Sequence, residues 1–120
     1  MNRPTLQTVT LPNGGTVTPT VELGDGVTAA IGATLVGILL PAALDTPTDL
    51  TLEVSPDGST WSTSLRNDSN NLIGIFSTAS PGAAHALNYE IMMPWRYVRI
   101  RSSLAQTADR VFTLIQRTPI

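Results

Sequence analysis

Leu50-Thr51-Leu52-Glu53-Val54-Ser55-Pro56-Asp57-Gly58 reads as a strand followed by the turn that ends it. Leu50, Leu52 and Val54 alternate with Thr51, Glu53 and Ser55. An extended chain with that period of two has one apolar and one polar face, as a half-buried β-strand requires. Pro56 presets φ, Asp57 bonds back to its own backbone and Gly58 supplies a positive φ, so the triplet is a turn for stated physical reasons. Thr60-Trp61-Ser62 then reads as the return arm of a hairpin.

The same pattern repeats toward the C-terminus. Residues 66–71 are polar loop, Leu72 to Ser77 a strand, Ser80-Pro81-Gly82 a turn, and Ala86 to Ile91 alternates again. Trp95 to Arg101 has two faces, Trp95, Tyr97, Arg99 and Arg101 on one and Arg96, Val98 and Ile100 on the other. Ser102 to Asp109 is loop. Arg110 to Arg117 sets Val111, Thr113 and Ile115 against Phe112, Leu114 and Gln116.

Toward the N-terminus, Thr34 to Leu40 is apolar nearly throughout and stops at Pro41. Such a run suits a central strand covered on both sides or shielded by a neighbouring subunit. Gly32 separates it from a second strand over Val27 to Ile31, and Gly24-Asp25-Gly26 is a turn. Residues 16–23 alternate but contain Pro19, which cannot donate to a ladder, so they belong at an edge. Residues 5–11 form a ragged strand before the Pro12-Asn13-Gly14-Gly15 turn. With no 3.6-residue period anywhere, the expectation is an all-β chain: an antiparallel β-sandwich or jelly roll of about eight strands over residues 23–120, preceded by an extended N-terminal arm or edge strands over residues 1–22.

Composition agrees. The chain has 120 residues, a one-domain length. Seventeen residues are Thr, a β-former, and nine Gly and nine Pro punctuate it. Charged residues make up 13%, every cation is Arg, and the formal net charge is −2. A basic footprint for nucleic acid is missing overall, so no nucleic-acid partner is expected. No secretory leader is expected either, because Met1-Asn2-Arg3-Pro4-Thr5 is not followed by an apolar core. The longest apolar stretch, Ala29 to Leu44, falls short of the ~20 residues a spanning helix needs and reads as buried strands rather than a membrane segment.

The chain is poor in catalytic groups. It has no Cys, so disulfides, thiolate ligands and thiol nucleophiles are out. His85 is the single histidine, placed in what reads as a loop, with no Gly-x-Ser-x-Gly elbow elsewhere. One His without Cys does not make a typical zinc site. Asp45 with Asp49, and Asp57 with Asp68, are carboxylate pairs that read as loop and turn residues, and no calcium loop or phosphate loop is present. The expectation is a non-enzyme with no cofactor and no metal.

Partner surfaces are better supplied. Arg96, Arg99 and Arg101 share a strand with Trp95 and Tyr97. Arg99 and Arg101 can pair with acids on an adjacent strand, while an aromatic–Arg face can also stack on sugars. The candidate interface is therefore Thr8, Thr10, Thr16 and Thr18 of the N-terminal arm, set to pair edge-on with a neighbour, together with Arg96, Arg99 and Arg101. The alternative is a glycan platform of Trp61, Trp95 and Tyr97.

Two stretches resemble known proteins. Leu50 to Trp61 resembles the strand–turn–Trp hairpin of discoidin-like jelly rolls, and Arg96 to Arg101 resembles their late strand. The closer resemblance is to small virion proteins of tailed bacteriophages. It rests on Leu35-Val36-Gly37-Ile38-Leu39-Leu40-Pro41-Ala42, Ser55 to Trp61, Arg96 to Ser102, and Gln106-Thr107-Ala108-Asp109-Arg110 running on to Leu114, and spans about residues 27–117. This resemblance implies a capsid decoration or cement protein on the virion surface, bound to the major capsid protein, as a homo-oligomer with a trimer favoured. The alternative is a carbohydrate-binding module of a tail or baseplate.

Overall fold

The computed structural model describes residues 4–24, 32–45 and 47–118. Eight strands and one helical turn follow in order: β1 (Thr5–Leu11), β2 (Val21–Glu22), β3 (Thr34–Leu39), β4 (Leu50–Ser55), β5 (Ile75–Phe76), β6 (Ala84–Ala86), α1 (Tyr89–Met92), β7 (Tyr97–Ser102) and β8 (Arg110–Arg117). They form two four-stranded sheets, β1-β8-β3-β6 and β2-β7-β4-β5, with every pairing antiparallel. The protein is a β-sandwich. We call the first sheet 1 and the second sheet 2.

The core lies between the sheets. Sheet 1 sends in Val9, Leu11, Leu35, Ile38, Phe112 and Leu114; sheet 2 sends in Val21, Leu50, Leu52, Val54, Val98 and Ile100. The alternation in β4, β7 and β8 therefore sets the inward side as the sequence pattern requires. Buried polar groups are paired. Gln116 Nε2 donates to Gln7 Oε1 (2.7 Å) while its Oε1 accepts from the Gly24 amide (3.1 Å). Gln106 Oε1 accepts from the Asp45 amide and its Nε2 donates to Thr48 Oγ1, tying two loops together.

The apolar run over β3 has a different cause from the one expected. The β3–β8 register shifts between Leu35 and Gly37. A bulge there inserts an extra residue, so Leu35 and Ile38, which strict alternation would set on opposite faces, both point inward. Leu39 stays exposed, so the strand is not covered on both sides.

Of the two forms expected for residues 1–22, extended arm or edge strands, the described residues 4–22 take the second, with β1 and β2 each at the edge of a sheet and part of the sandwich. Thr5 to Leu11 pair with Gln116 to Arg110 over their whole length, and Val9 and Leu11 are core residues. Residues 16–18 run alongside β7: the Thr16 carbonyl accepts from the Ser102 amide, the Thr18 amide donates to the Ile100 carbonyl, and Val17 bridges Arg101. Pro19 interrupts this segment before β2, as its missing donor demands.

Three other segments are shorter than expected. The Thr60 to Ser62 return arm is a single bridge between Val54 and Ser62. Only Ile75 and Phe76 of Leu72 to Ser77 form strand. Ala86 to Ile91 is the end of β6 followed by α1, because the Asn88 side chain caps the turn, accepting from the Glu90 and Ile91 amides. The expected strand at Val27 to Ile31 lies outside the described residues. Among the described residues, no helix is long and apolar enough to cross a membrane.

Candidate interaction surfaces

The outer side of sheet 2 holds most of the sequence-predicted residues, and they are engaged with one another. Cross-strand register sets Glu53 of β4 opposite Arg99 of β7 and Thr51 opposite Arg101. Glu53 has no solvent exposure. Its carboxylate accepts from Arg99 Nε at 2.6 Å and from Arg101 Nε at 2.8 Å, so two cations clamp one anion. Burial pushes the Glu53 carboxyl upward, but the hydrogen bonds and charges of Arg101 and Arg99 outweigh it and hold the group below its ordinary range. The hydrogen bond from Arg101 to Glu53, and then the carboxylate's charge, raise the Arg101 guanidinium.

Trp61 closes this cluster. The Arg99 guanidinium lies 4.0 Å over its ring, a cation–π contact on a half-buried indole. Arg96 is tied to Glu22 at 2.6 Å. Trp95 is half-buried against the core, and the half-buried Tyr97 ring flanks Gly58 of the turn. Of the three rings expected to form a sugar platform, Trp61 has Arg99 over its ring, and Trp61, Trp95 and Tyr97 are each half-buried. Thr18 is buried as well, its Oγ1 accepting from the Ile100 amide. Tyr97, Arg99 and Arg101 thus lie on β7 of sheet 2, and Thr18, Trp61, Trp95 and Arg96 lie in the segments that pack beside it. The exposed Thr16 also runs beside β7, while Thr8 and Thr10 lie on β1 of sheet 1.

The Pro56-Asp57-Gly58 turn is built as read. Gly58 takes φ +82°, and Asp57 Oδ1 accepts from the Thr60 (2.7 Å) and Ser59 (2.8 Å) amides. Those two bonds bring the Asp57 carboxyl down to about 2.

His85 lies in β6, not in a loop. It pairs with Ile38, and its ring meets that of Phe76 at 4.5 Å and a 31° tilt. The two rings stand in a groove of about 500 Å³ at the open side of the sandwich, between β5 and β6, with Leu72, Ile73, Ile75 and Leu87 around them. Asp45 is held by the Thr107 hydroxyl and amide and by Arg110, which lower its carboxyl. Among the described residues, no group of three His, Cys, Asp or Glu side chains is placed to hold a metal ion.

The outer side of sheet 1 is the surface that the pattern did not single out. Residues paired across strands share a face, and the ladder rows Leu6–Ile115–Gly37–Ala86, Thr8–Thr113–Leu39–Ala84 and Thr10–Val111 all point outward. None of these positions is charged; Arg117 stands at the end of its own strand. Leu6 is 63% exposed, Val111 49% and Leu39 37%. The signal was the apolar character of both faces of β8. What it could not reveal was which face turns inward.

Comparisons with protein-family models, curated proteins and solved structures find no match.

Proposed function

We propose that this protein is a structural component of a tailed-phage virion, a capsid decoration protein that lays the outer face of sheet 1 on the major capsid protein across subunit junctions. The observation that carries the reading is the uncharged face itself. Leu6, Leu39 and Val111 are exposed apolar side chains set among Thr8, Thr10 and Thr113, which supply hydroxyls for hydrogen bonds at the rim. Three of the six large exposed apolar side chains among the described residues share this face, the others being Leu72, Ile75 and Met93, and apolar side chains set together on an uncharged face favour its use as an interaction site. The kind of partner comes from the resemblance over residues 27–117. Binding only the assembled lattice stabilises that state by mass action and asks for no catalytic group.

The test is attachment to the head. In particles of the phage that encodes it, the protein stays with the heads when heads and tails are separated, and added protein co-sediments with heads stripped of it. Leu39→Arg with Val111→Arg lowers retention by roughly tenfold or more, since arginines are then set against an apolar seat. The far-UV spectrum stays unchanged, because both side chains already face solvent. Recovery with the tails, or retention indifferent to the two arginines, overturns the reading.

A further inference from the structure

We propose that β1 is a self-pairing edge: two copies of this chain join β1 to β1 in antiparallel fashion about a two-fold axis at Thr8, making one continuous eight-stranded sheet. The inference stands apart from the capsid reading and is tested on purified protein alone.

The two sheets have four edge strands between them. Three are cut short: β2 and β5 have two residues each and β6 has three. Shortness is one of the ways natural sheets keep an edge from templating another chain. β1 is the exception. It runs for seven residues, Thr5-Leu6-Gln7-Thr8-Val9-Thr10-Leu11, with a regular register and no bulge, no proline and no charge. Among the described residues, no strand borders its outer edge. A strand paired on one side leaves alternate amides and carbonyls facing outward, ready for a second ladder.

Three features select a second copy as the occupant. The strand is bounded by Pro4 and Pro12, each four residues from Thr8. Proline cannot donate to a ladder, so pairing is confined to residues 5–11, and the register that uses all of them is the one centred on Thr8. In that register Thr8 meets its own copy, Leu6 meets Thr10 and Gln7 meets Val9. Outward residues meet outward residues and inward meet inward, as a shared pleat requires. The residue on the two-fold axis is the one that meets its own copy, and Thr8 there is uncharged, as are all seven residues of the strand, so no like charges are set face to face. A ladder of this length carries about six to eight backbone hydrogen bonds, within the usual range for a complete interface. A two-fold pair differs from the trimer expected from the sequence, and sedimentation equilibrium distinguishes the two. It also brings the uncharged outer faces of both copies into one plane.

Cysteine scanning and sedimentation test this directly, since the chain has no Cys of its own. With Thr8→Cys, the two Cα atoms lie about 4.5–5.5 Å apart across the axis, within disulfide range. Oxidation then gives a reducible dimer. Val111→Cys is the control: it is on β8 beside Thr10, three strand spacings across and four residues along from its copy, about 20 Å in all, and gives none. By sedimentation equilibrium the unmodified protein dimerises, and Thr8→Lys and Thr8→Glu each weaken that dimer by about tenfold or more through like charges set face to face. An equal mixture of the two variants restores it. A protein that stays monomeric up to millimolar concentration overturns the proposal. So does a dimer indifferent to the charge at position 8, or equal cross-linking at positions 8 and 111.

Discussion

Replacing Glu53 by Gln removes one negative charge and almost no volume, and it strikes the best-buried charge among the described residues. The carboxylate accepts from Arg99 Nε at 2.6 Å and from Arg101 Nε at 2.8 Å, with no exposure of its own. Hydrogen bonds to a charged group contribute ~1.5–3 kcal/mol each, so the gross loss is about 3–6 kcal/mol. Part returns. The Gln amide oxygen still accepts one donor, and the side chains of Arg99 and Arg101 are 24% and 44% exposed, so the released guanidiniums rehydrate. Full breakage of a buried pair costs ~3–5 kcal/mol, and the solvent contact of both arginines brings the expected net loss to about 2 kcal/mol. For a chain of this size that lowers Tm by roughly 6–12 °C. Thermal unfolding followed by circular dichroism at neutral pH measures it. The pH dependence supplies an independent check. The Glu53 carboxyl is held below its ordinary value of 4.5 in the folded state, so its contribution is complete above that pH and is lost as pH falls through the lower folded value. The gap between the parent and Glu53→Gln therefore narrows on acidification. A variant that melts within about 1 °C of the parent at neutral pH, where a 2 kcal/mol loss moves Tm several degrees, would refute the clamp's role. A gap that stays constant into acid would refute its electrostatic origin.

Two further outcomes follow from local geometry. A methyl group at Gly74 would sit 3.1 Å from the Leu52 carbonyl oxygen and 3.1 Å from Leu65 Cβ. Gly74→Ala is thus overpacked and loses about 1–3 kcal/mol, seen as a lower urea midpoint at unchanged m-value. The Asp57 carboxyl, lowered to about 2 by the Thr60 and Ser59 amides, titrates near that pH by NMR. Its contribution is present above the ordinary 3.8 and disappears as pH falls through about 2, so Asp57→Ala is less stable than the parent at neutral pH and converges with it in strong acid.

The sequence carried the sandwich wherever one face of a strand was apolar and the other polar. β4 and β7 are such strands, and Leu52, Val54, Val98 and Ile100 are all buried. β1 looked ragged because both of its faces carry apolar residues: Val9 and Leu11 turn inward while Leu6 turns outward. A period-two argument has little to grip on such a strand, so it read only as a ragged strand in an arm or at an edge. β3 misled for a related reason, since a bulge at Val36 breaks the period and imitates a strand covered on both sides. α1 was invisible because one turn is too short to show a helical period, and its cause is the local cap at Asn88. On sheet 2, the pairing of Arg99 and Arg101 with an acid across the ladder was legible, and Glu53 is that acid. The uncharged face of sheet 1 was not, because its residues are β-formers that a core would also take.

Charge allocation separates the two sheets. On sheet 2, Glu22 and Glu53 hold Arg96, Arg99 and Arg101, so charge there is spent inside the fold, with Trp61 laid against it. On sheet 1, the three outward rows carry Thr, Ala, Gly, Leu, Val and Ile, with Arg117 beyond them at the end of β8. Natural monomers protect an edge with charge, proline, bulges or shortness, and shortness protects β2, β5 and β6 while β1 has none of these devices. The unprotected edge and the uncharged face meet at one corner, where Leu6, Thr8 and Thr10 belong to both. Edge pairing there would double the neutral face while leaving it open, and two linked faces hold a lattice far more firmly than one without any new kind of contact. A lone copy with this corner bare would carry the hazard of both features and the advantage of neither, which is why the edge and the face are best understood as parts of one assembly surface.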